Sequence, residues 1–295
     1  MKELPIPTLA FSNAAAPKVV HYARSVAAPR LSVPAALPLQ SHGSANLQRT
    51  PRTAGVHTAW ARHQDEVRQA QRLRYQVFAC EMGARLETPL PEHDVDRFDD
   101  FCEHLLARDT ATGQVIGTYR VLTPAQAVRA GGAYSDTEFD LTPLRSLRPK
   151  MVELGRSCVH AQHRQGGVIL ALGSALYEFM ARNQLETMMG CASIPMLHNG
   201  MVSGNVAASV WRQMQEKHLA DPVFQVRAHC PLPVDQLDST LDVAPPALIK
   251  GYLRQGAKVL GAPAWDPDFN TADLPLLIHV KDAPSRFTKR FEAAV

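Results

Sequence analysis

The sequence has no long hydrophobic run, and this absence argues against a membrane-spanning helix. A helix needs about 20 mostly apolar residues to cross a bilayer, and no stretch of the chain reaches about 18. An uninterrupted apolar segment near the N-terminus is also missing, so no secretory signal is predicted. With 45% hydrophobic and 20% charged residues over 295 positions, the composition is that of a globular protein with a large core.

Cysteine is scarce, and its spacing argues against two kinds of structural site. The five cysteines are Cys80, Cys102, Cys158, Cys191 and Cys230. None forms a Cys-x-x-Cys pair, so neither a disulfide framework nor a structural zinc site is predicted. A reducing cytoplasm is therefore the expected compartment.

Two other groupings of reactive side chains are incomplete. Cys158 and His160 would share one side of a strand, as a thiol nucleophile and its base do, but no residue that would orient the histidine is evident. His160, His163 and Glu153 lack a recognised metal-ligand spacing, so no metal site is predicted.

The charges are distributed unevenly along the chain. Residues 1–64 contain seven Lys or Arg and one acid, a balance of +6, whereas the remainder has 24 basic and 27 acidic residues, a balance of −3. Residues 1–57 are predicted to be a disordered basic arm, which either has no partner or is attracted to anionic lipid or an acidic carrier protein. Because the rest of the chain is net acidic and lacks a basic stripe, nucleic-acid binding is not predicted.

Hydrophobic periodicity predicts one α/β domain with a mixed sheet. A strand that begins at Met151 leads through a loop with two glycines into a helix whose apolar residues recur at spacings of three and four. A helix from Thr58, a hairpin and a short helix come before it, and three strands that alternate with two helices come after it. The predicted ranges are 58–82, 103–109, 114–122, 124–130, 187–194, 203–216, 222–229, 245–256 and 274–280.

The polar residues of the central strand, loop and helix suggest an active centre. Glu153 and Arg156 would point to opposite faces of an ideal strand, but at Gly155 between them a β-bulge can re-aim one side chain. The N-terminus of the following helix offers unpaired backbone N–H groups to an anion. An acid, a cation and an anion site thus lie close together in the sequence.

Four short segments resemble the GNAT-fold acyltransferases that use acyl carrier protein. They are Leu-Arg-Tyr-Gln-Val-Phe (73–78), Asp-Arg-Phe-Asp (96–99), Gly-Thr-Tyr-Arg-Val-Leu (117–122) and Glu-Leu-Gly-Arg-Ser-Cys-Val (153–159). The acyl-homoserine-lactone synthases and the L-ornithine N(alpha)-acyltransferases share this pattern, and segments 131–141, 248–257 and 263–273 favour the second family. The resemblance implies a GNAT-like α/β fold with a mixed, mostly antiparallel sheet flanked by helices. It would form a single domain with a C-terminal extension over residues 58–290.

The resemblance implies transfer of a 3-hydroxyacyl chain from acyl carrier protein to the α-amine of L-ornithine. The ammonium must lose a proton before it attacks, and the catalytic candidates are Glu153 as general base and Arg156; alternatively, the two form an ion pair. The substrate-binding candidates are Arg74, Phe78, Asp96, Asp99 and Arg120. The two aspartates would bind the second ammonium of ornithine or order their loop, Arg120 would contact substrate or form a buried ion pair, and Phe78 would line the core or the acyl chain.

The donor site is predicted to take the phosphopantetheine arm of acyl carrier protein, and no tightly bound cofactor is expected. The predicted donor-binding residues are Arg164, Gln165, Gly166 and Gly167. This segment departs from the Arg/Gln-x-x-Gly-x-Gly/Ala pattern of GNAT enzymes that use acetyl-CoA, because Ile169 stands at the last position. A loop that binds the CoA pyrophosphate needs small residues, so the departure favours the single phosphate of phosphopantetheine.

Two other functions remain open from the sequence. A lactone synthase would use S-adenosylmethionine in place of ornithine, and a non-catalytic protein would bind acylated carrier protein without turnover. Because the expected product is a lipid amphiphile, a cytoplasmic location with peripheral contact at the inner face of the membrane is a further expectation.

Overall fold

The computed structural model describes residues 55–164, 167–198 and 200–284. Its strands are β1 (Val56–Trp60), β2 (Glu103–Asp109), β3 (Val115–Leu122), β4 (Phe139–Asp140), β5 (Met151–Val159), β6 (Thr187–Pro195), β7 (Leu197–His198), β8 (Met201–Val202), β9 (Arg227–Ala228), β10 (Lys258–Val259), β11 (Ala264–Asp266) and β12 (Thr271–His279). Its α-helices are α1 (Gln64–Tyr75), α2 (Pro124–Ala130), α3 (Val168–Arg182), α4 (Asn205–Lys217) and α5 (Ala247–Leu253). A π-helical segment, Gln76–Glu81, continues α1, and the 3-10 helix Tyr134–Thr137 precedes β4.

Eight strands form one sheet, which runs in the order β1-β2-β3-β5-β6-β12-β10 with β11 also paired to β12. The only parallel neighbours in this sheet, over the described residues, are β5 and β6, which α3 connects. Two small antiparallel pairs, β4 with β9 and β7 with β8, lie outside it. The architecture is a mixed, mostly antiparallel sheet with flanking helices, which confirms the predicted GNAT-like α/β fold.

Helices cover both faces of the sheet, and this explains why β3 is buried along its whole length. Successive residues of a strand point to opposite faces. Leu105 of β2 accordingly packs in a core cluster with Leu172 of α3, whereas its neighbour Leu106 packs with Leu73 and Val77 around α1. Helices α4 and α5 pack on the same face of the sheet as α3, where they form a second apolar cluster with β6 and β12.

The parallel pair β5 and β6 separates soon after it forms. Only Met151–Glu153 of β5 pair with β6. At the point of divergence, a Cβ on Gly190 would lie 2.4 Å from the carbonyl oxygen of Leu154, so only glycine fits between the two strands there. The residues of β5 after Glu153 therefore do not pair with β6.

The predicted β-bulge is present in β5 on the side that faces β3. Gly155 lies opposite Arg120 and Cys158 lies opposite Thr118, so two residues of β5 face one of β3. The residue with the left-handed backbone is Arg156, with φ of 50°, rather than the neighbouring glycine.

Several predicted elements need correction. The predicted helix from Thr58 is wrong at its start, because residues 56–60 form β1 against β2 and the helix begins only at Gln64. The predicted strand 222–229 is reduced to Arg227–Ala228. The predicted arm ends at residue 57, which lies inside β1, and residues 1–54 lie outside the described part of the chain. No helix within the described ranges is long and apolar enough to span a bilayer.

We predict that Gly190→Ala destabilises the protein by about 1–3 kcal/mol, because the added methyl group overpacks the contact with the Leu154 carbonyl. The free energy of unfolding, from urea titration, measures the effect. Gly173→Ala is the matched control, since no atom outside the adjoining backbone of α3 lies within 4 Å of its added Cβ and alanine favours helices over glycine by about 1 kcal/mol. Equal urea midpoints for the wild type and Gly190→Ala would show that the close contact between β5 and β6 does not require glycine at position 190.

Candidate functional site

An open cavity of about 190 Å³ lies beside the bulged residue Arg156. Its walls come from the loop before β2, from the 3-10 helix and from the turn between β11 and β12. The lining residues are Arg85, Leu86, Glu87, Asp94, Val95, Asp96, Tyr134, Arg156, Asp266, Asp268 and Phe269. Pockets for drug-sized ligands usually enclose about 300–1,000 Å³, so this cavity suits a small, highly polar molecule.

Arg74 anchors the loop that forms one wall of the cavity. Its guanidinium is fully buried and donates from Nε to Asp94 Oδ2 at 2.8 Å. Its Nη1 and Nη2 donate to the two carboxylate oxygens of Asp99 at 2.8 and 2.9 Å. A buried charge requires such pairing, and the pairing joins α1 to the 94–99 loop.

Two further arginines extend this network to the cavity surface. Arg120 donates from Nη1 to Asp96 Oδ1 at 2.6 Å, and Arg156 donates from Nη2 to Asp96 Oδ2 at 3.1 Å. Arg156 Nε also lies 3.2 Å from Asp94 Oδ2. Three guanidinium groups thus face three carboxylates, and the formal charges of the cluster cancel.

Arg156 is held by aromatic rings as well as by charge. Its guanidinium carbon lies 4.7 Å from the ring centroids of both Tyr134 and Phe269. A left-handed backbone at a residue other than glycine costs of order 1–3 kcal/mol. The ion pairs and the two rings offset that strain and fix the side chain in the cavity wall.

The arginines control the ionisation of the aspartates. Burial alone would raise the pKa of Asp99, but Arg74 and then Arg120 outweigh it and hold the pKa well below its usual range. For Asp96, burial is likewise outweighed by Arg120 and Arg156, and the pKa is lowered. Both side chains are therefore anionic partners within the network.

Glu153, the predicted general base, is buried and bound to the 3-10 helix. Its Oε2 accepts from the backbone N–H of Tyr134 at 2.7 Å, and its Oε1 accepts from the N–H of Ser135 at 2.6 Å. The Ser135 hydroxyl donates to the same Oε1. Burial raises the pKa of Glu153, and the hydrogen bonds from Ser135 and Tyr134 oppose that rise. Tyr134 lines the cavity, whereas Ser135 and Glu153 do not.

The structure distributes the remaining predicted residues over three places. Phe78 lies in the π-helical segment and contacts Phe269 edge to face at 5.6 Å. Arg164 is exposed, forms an ion pair with Glu81 and donates from Nε to the Val159 carbonyl at 3.1 Å. Gly167 precedes the first turn of α3 as its N-cap, without a side-chain cap.

Gln165 and Gly166, the other two predicted donor-binding residues, lie outside the described residues. Of the seven residues predicted for catalysis and substrate binding, only Asp96 and Arg156 line the cavity. Their roles in the reaction, like those of the other five, stay predictions.

Sequence reasoning missed three residues that shape this site. Asp94 is shared by two arginines, and Tyr134 and Phe269 enclose the Arg156 guanidinium. Asp94 belongs to an acidic loop, which is a signal that was visible in the sequence. The two aromatic residues lie in segments 131–141 and 263–273, which carry part of the family resemblance, but no sequence pattern shows that both rings meet at Arg156.

Comparison with known proteins gives several similarities. A family profile described as an acetyltransferase (GNAT) domain matches residues 73–174. The L-ornithine N(alpha)-acyltransferase of Rhodobacter capsulatus is 35% identical over 252 residues, which cover 79% of this chain and 94% of that protein. The L-ornithine N(alpha)-acyltransferase of Brucella abortus is 32% identical over 257 residues, which cover 82% of this chain and 90% of that protein.

A solved structure is also similar, at a lower level. It is a CoA-dependent acyl-homoserine lactone synthase with SAM and isopentyl-CoA, with a TM-score of 0.47 and 16% identity, covering 78% of this chain and 82% of that chain. A similarity of this degree supports no inference about function.

We predict that the protein loses stability as pH falls, through Asp96 and Asp99. Their pKa values are lower in the folded state, so their stabilisation is complete above the unfolded value of about 4 and is lost as pH falls through the folded values. Urea unfolding between about pH 6 and pH 3 measures the slope. Asp99→Asn should reduce this slope and, because Arg74 loses a partner, lower the free energy of unfolding at neutral pH by about 3–5 kcal/mol.

The control for this prediction is Asp100→Asn, which changes the adjacent, exposed carboxylate. It should leave both the slope and the stability at neutral pH close to those of the wild type. An identical pH slope in the wild type and Asp99→Asn would contradict the assignment.

Proposed function

The chain belongs to the L-ornithine N(alpha)-acyltransferase family of GNAT acyltransferases, and on that premise we propose that it transfers a 3-hydroxyacyl chain from acyl carrier protein to the α-amine of L-ornithine. The product is lyso-ornithine lipid. The observation that carries the proposal is the small cavity with charges of both signs, which matches a small amino acid with two ammonium groups and one carboxylate. Arg85 at the cavity wall is exposed and has no ion pair within the described residues. One of its terminal nitrogens donates to the Pro267 carbonyl at 2.9 Å, and the other N–H groups are available to the substrate carboxylate.

The reaction requires a neutral α-amine. In the proposed mechanism the ammonium gives up one proton, and the nitrogen lone pair then attacks the thioester carbonyl. The C–S bond breaks as the carbonyl re-forms, and a second proton passes from the nitrogen to the leaving sulfur, which gives a neutral amide and the phosphopantetheine thiol. Backbone N–H groups of β5 beyond Glu153, where β6 no longer pairs with the strand, would stabilise the oxyanion.

Glu153 is the proposed acceptor of the proton. Burial raises its pKa, which suits a general base at neutral pH. Because its carboxylate does not line the cavity, the proton would reach it through the Ser135 hydroxyl, which already donates to Oε1. Ser135 is thus a relay in this proposal, and Arg156 positions the cavity wall.

The donor arm is proposed to approach the N-terminal end of α3. Unpaired backbone N–H groups in the first turn of a helix attract a phosphate group. Arg164, three residues before Gly167 in the sequence, pairs with Glu81 and supplies a cation that can exchange this partner for the phosphate of phosphopantetheine. The acyl carrier protein is accordingly the proposed partner.

The proposed location is the cytoplasmic side of the membrane, where the lipid product would be released.

Thiol release from 3-hydroxyacyl-carrier protein tests the proposed function. We expect release with L-ornithine and an N-acylated ornithine identified by mass spectrometry. Release only with S-adenosylmethionine would replace the proposal with a lactone synthase. Binding of the acylated carrier without release with any amine would replace it with a non-catalytic function. A CoA thioester of the same chain tests the donor, and it should be used at least about tenfold less efficiently.

We predict that Glu153→Gln and Ser135→Ala both lower kcat, by about 100-fold or more and by about tenfold respectively. Proton transfer by a positioned group contributes about 10²–10⁴-fold, and a serine in a relay can be replaced in part by water. Steady-state kinetics with ornithine measures both values. Thermal unfolding of each variant separates loss of the base from loss of the fold. Unchanged kcat in a folded Glu153→Gln variant would remove Glu153 from catalysis.

A further inference from the structure

Three carboxylates from separate segments meet next to the cavity. Glu138 follows the 3-10 helix, Asp266 ends β11 and Asp273 lies in β12. One oxygen of each lies within 4.8 Å of an oxygen of the other two. Asp266 lines the cavity, so a ligand that enters the cavity meets this member of the acidic triad first.

The acidic triad differs in its charge balance from the aspartates of the 94–99 loop. Asp94, Asp96 and Asp99 are paired with three arginines. In contrast, no arginine, lysine or histidine of the described ranges forms an ion pair with the triad. The cavity therefore has one wall whose acids are neutralised by the protein and one wall whose acids are not.

Glu138 provides independent evidence for a missing partner. Both of its carboxylate oxygens are inaccessible to solvent and accept no hydrogen bond of normal geometry within the described residues, although the side chains of Cys191 and Tyr134 lie near enough to interact with the carboxylate. An unpaired buried carboxylate is costly, and the buried polar groups of proteins are ordinarily hydrogen-bonded. By comparison, Asp273 accepts from the Thr271 hydroxyl at 3.1 Å, and Asp266 accepts from the N–H groups of residues 268 and 269.

The electrostatics of the triad agree with this geometry. Burial and then the nearby Asp273 raise the pKa of Glu138. Burial likewise raises the pKa of Asp273, and Asp266 adds to the rise. Like charges held together in a buried site behave in this way until a cation joins them.

We propose that Glu138, Asp266 and Asp273 bind the side-chain ammonium of the acceptor amino acid. The inference rests on the proposed function, because it assigns one end of the amino acid that the enzyme would acylate. Three atoms that are at most 4.8 Å apart have a common point within about 2.8 Å of each, and a charge-assisted N–H···O bond is about 2.7–2.9 Å long. An ammonium nitrogen at that point would give one N–H to each carboxylate, and because the Glu138 oxygens are closed to solvent, the triad side chains must move apart to admit it.

A divalent cation fits the triad less well than an ammonium group. Calcium takes six to eight oxygen ligands and magnesium needs six in octahedral geometry. Other groups that act on the triad are Cys191 and Tyr134 beside Glu138, and Ser193 and the Arg156 guanidinium beside Asp273, so no further carboxylate of the described residues completes a metal site. An ammonium group needs only three acceptors, and the triad supplies three.

The proposal moves recognition of the second ammonium away from Asp96 and Asp99, for which the sequence suggested it. Those carboxylates already have guanidinium partners within about 3 Å. A substrate ammonium would have to displace an arginine there, whereas at the triad it displaces none.

Norvaline provides a direct test, because it is ornithine without the side-chain ammonium. The acyltransferase assay is run with both amino acids on the wild type, Glu138→Gln and Asp273→Asn. We expect each substitution to lower kcat/KM for ornithine by about 10- to 100-fold, chiefly through KM, since hydrogen bonds to charged groups contribute that much binding. The values for norvaline should stay unchanged. Asp235→Asn, at an exposed carboxylate away from the cavity, is the control and should change neither.

Three results would overturn the proposal. They are an equal loss for ornithine and norvaline in both variants, an unchanged preference for ornithine, and stoichiometric binding of calcium, magnesium or manganese to the wild type that is lost in Asp273→Asn. Both substitutions keep the shape of the side chain and remove a repelling charge, so the variants should fold, and thermal unfolding verifies that they do.

Failure of the proposed function would be recognised separately, as the absence of any acylated ornithine with the wild type. Calorimetric titration with ornithine and norvaline then tests the triad without turnover. Tighter binding of ornithine by the wild type than by Asp273→Asn would support the triad. Equal binding of the two amino acids by the wild type, or no binding of ornithine, would overturn it.

Discussion

The buried guanidinium of Arg74 is the constraint on which the site depends. A charge with no access to water must be paired, and the available partners are Asp94 and Asp99. These aspartates belong to the loop that forms a cavity wall, and the same loop carries Asp96 to Arg120 and Arg156. The need to pair the Arg74 charge in α1 thus determines the position of the Arg156 side chain in β5.

Such a network contributes geometry more than net stability. The desolvation of six charged groups offsets much of their mutual attraction, although removal of one partner is strongly destabilising. What the network supplies is a fixed position for Arg156, whose left-handed backbone would otherwise relax. The bulge, the divergence of β5 from β6 and the close approach at Gly190 then create the opening beside it.

Much of this fold was predictable from local sequence, and most of the site was not. The hairpin of β2 and β3 and the β5-α3-β6 crossover follow from periodicity and turn residues, which act over short distances. The prediction failed at Thr58, because pairing of β1 with β2 overrides the local helix-start signal. The resemblance identified the three arginines and Asp96 and Asp99 of the neutral network, but not Asp94. Glu138, Asp266 and Asp273 lie in segments 131–141 and 263–273, which carry part of the resemblance. No sequence pattern shows that these three residues meet, because their proximity exists only in the folded chain.

The two acidic walls imply different sources of selectivity in the proposed reaction. A wall whose charges are cancelled internally is organised before substrate arrives and need not rearrange during the reaction. A wall with uncompensated carboxylates is complete only when a ligand brings positive charge. An amino acid without a side-chain ammonium would leave buried polar groups unpaired, and a site of that kind discriminates more strongly than an apolar pocket, which distinguishes ligands mainly by size. Substrate choice would therefore be controlled at the triad, while the arginine network keeps the cavity in the shape that the chemistry requires.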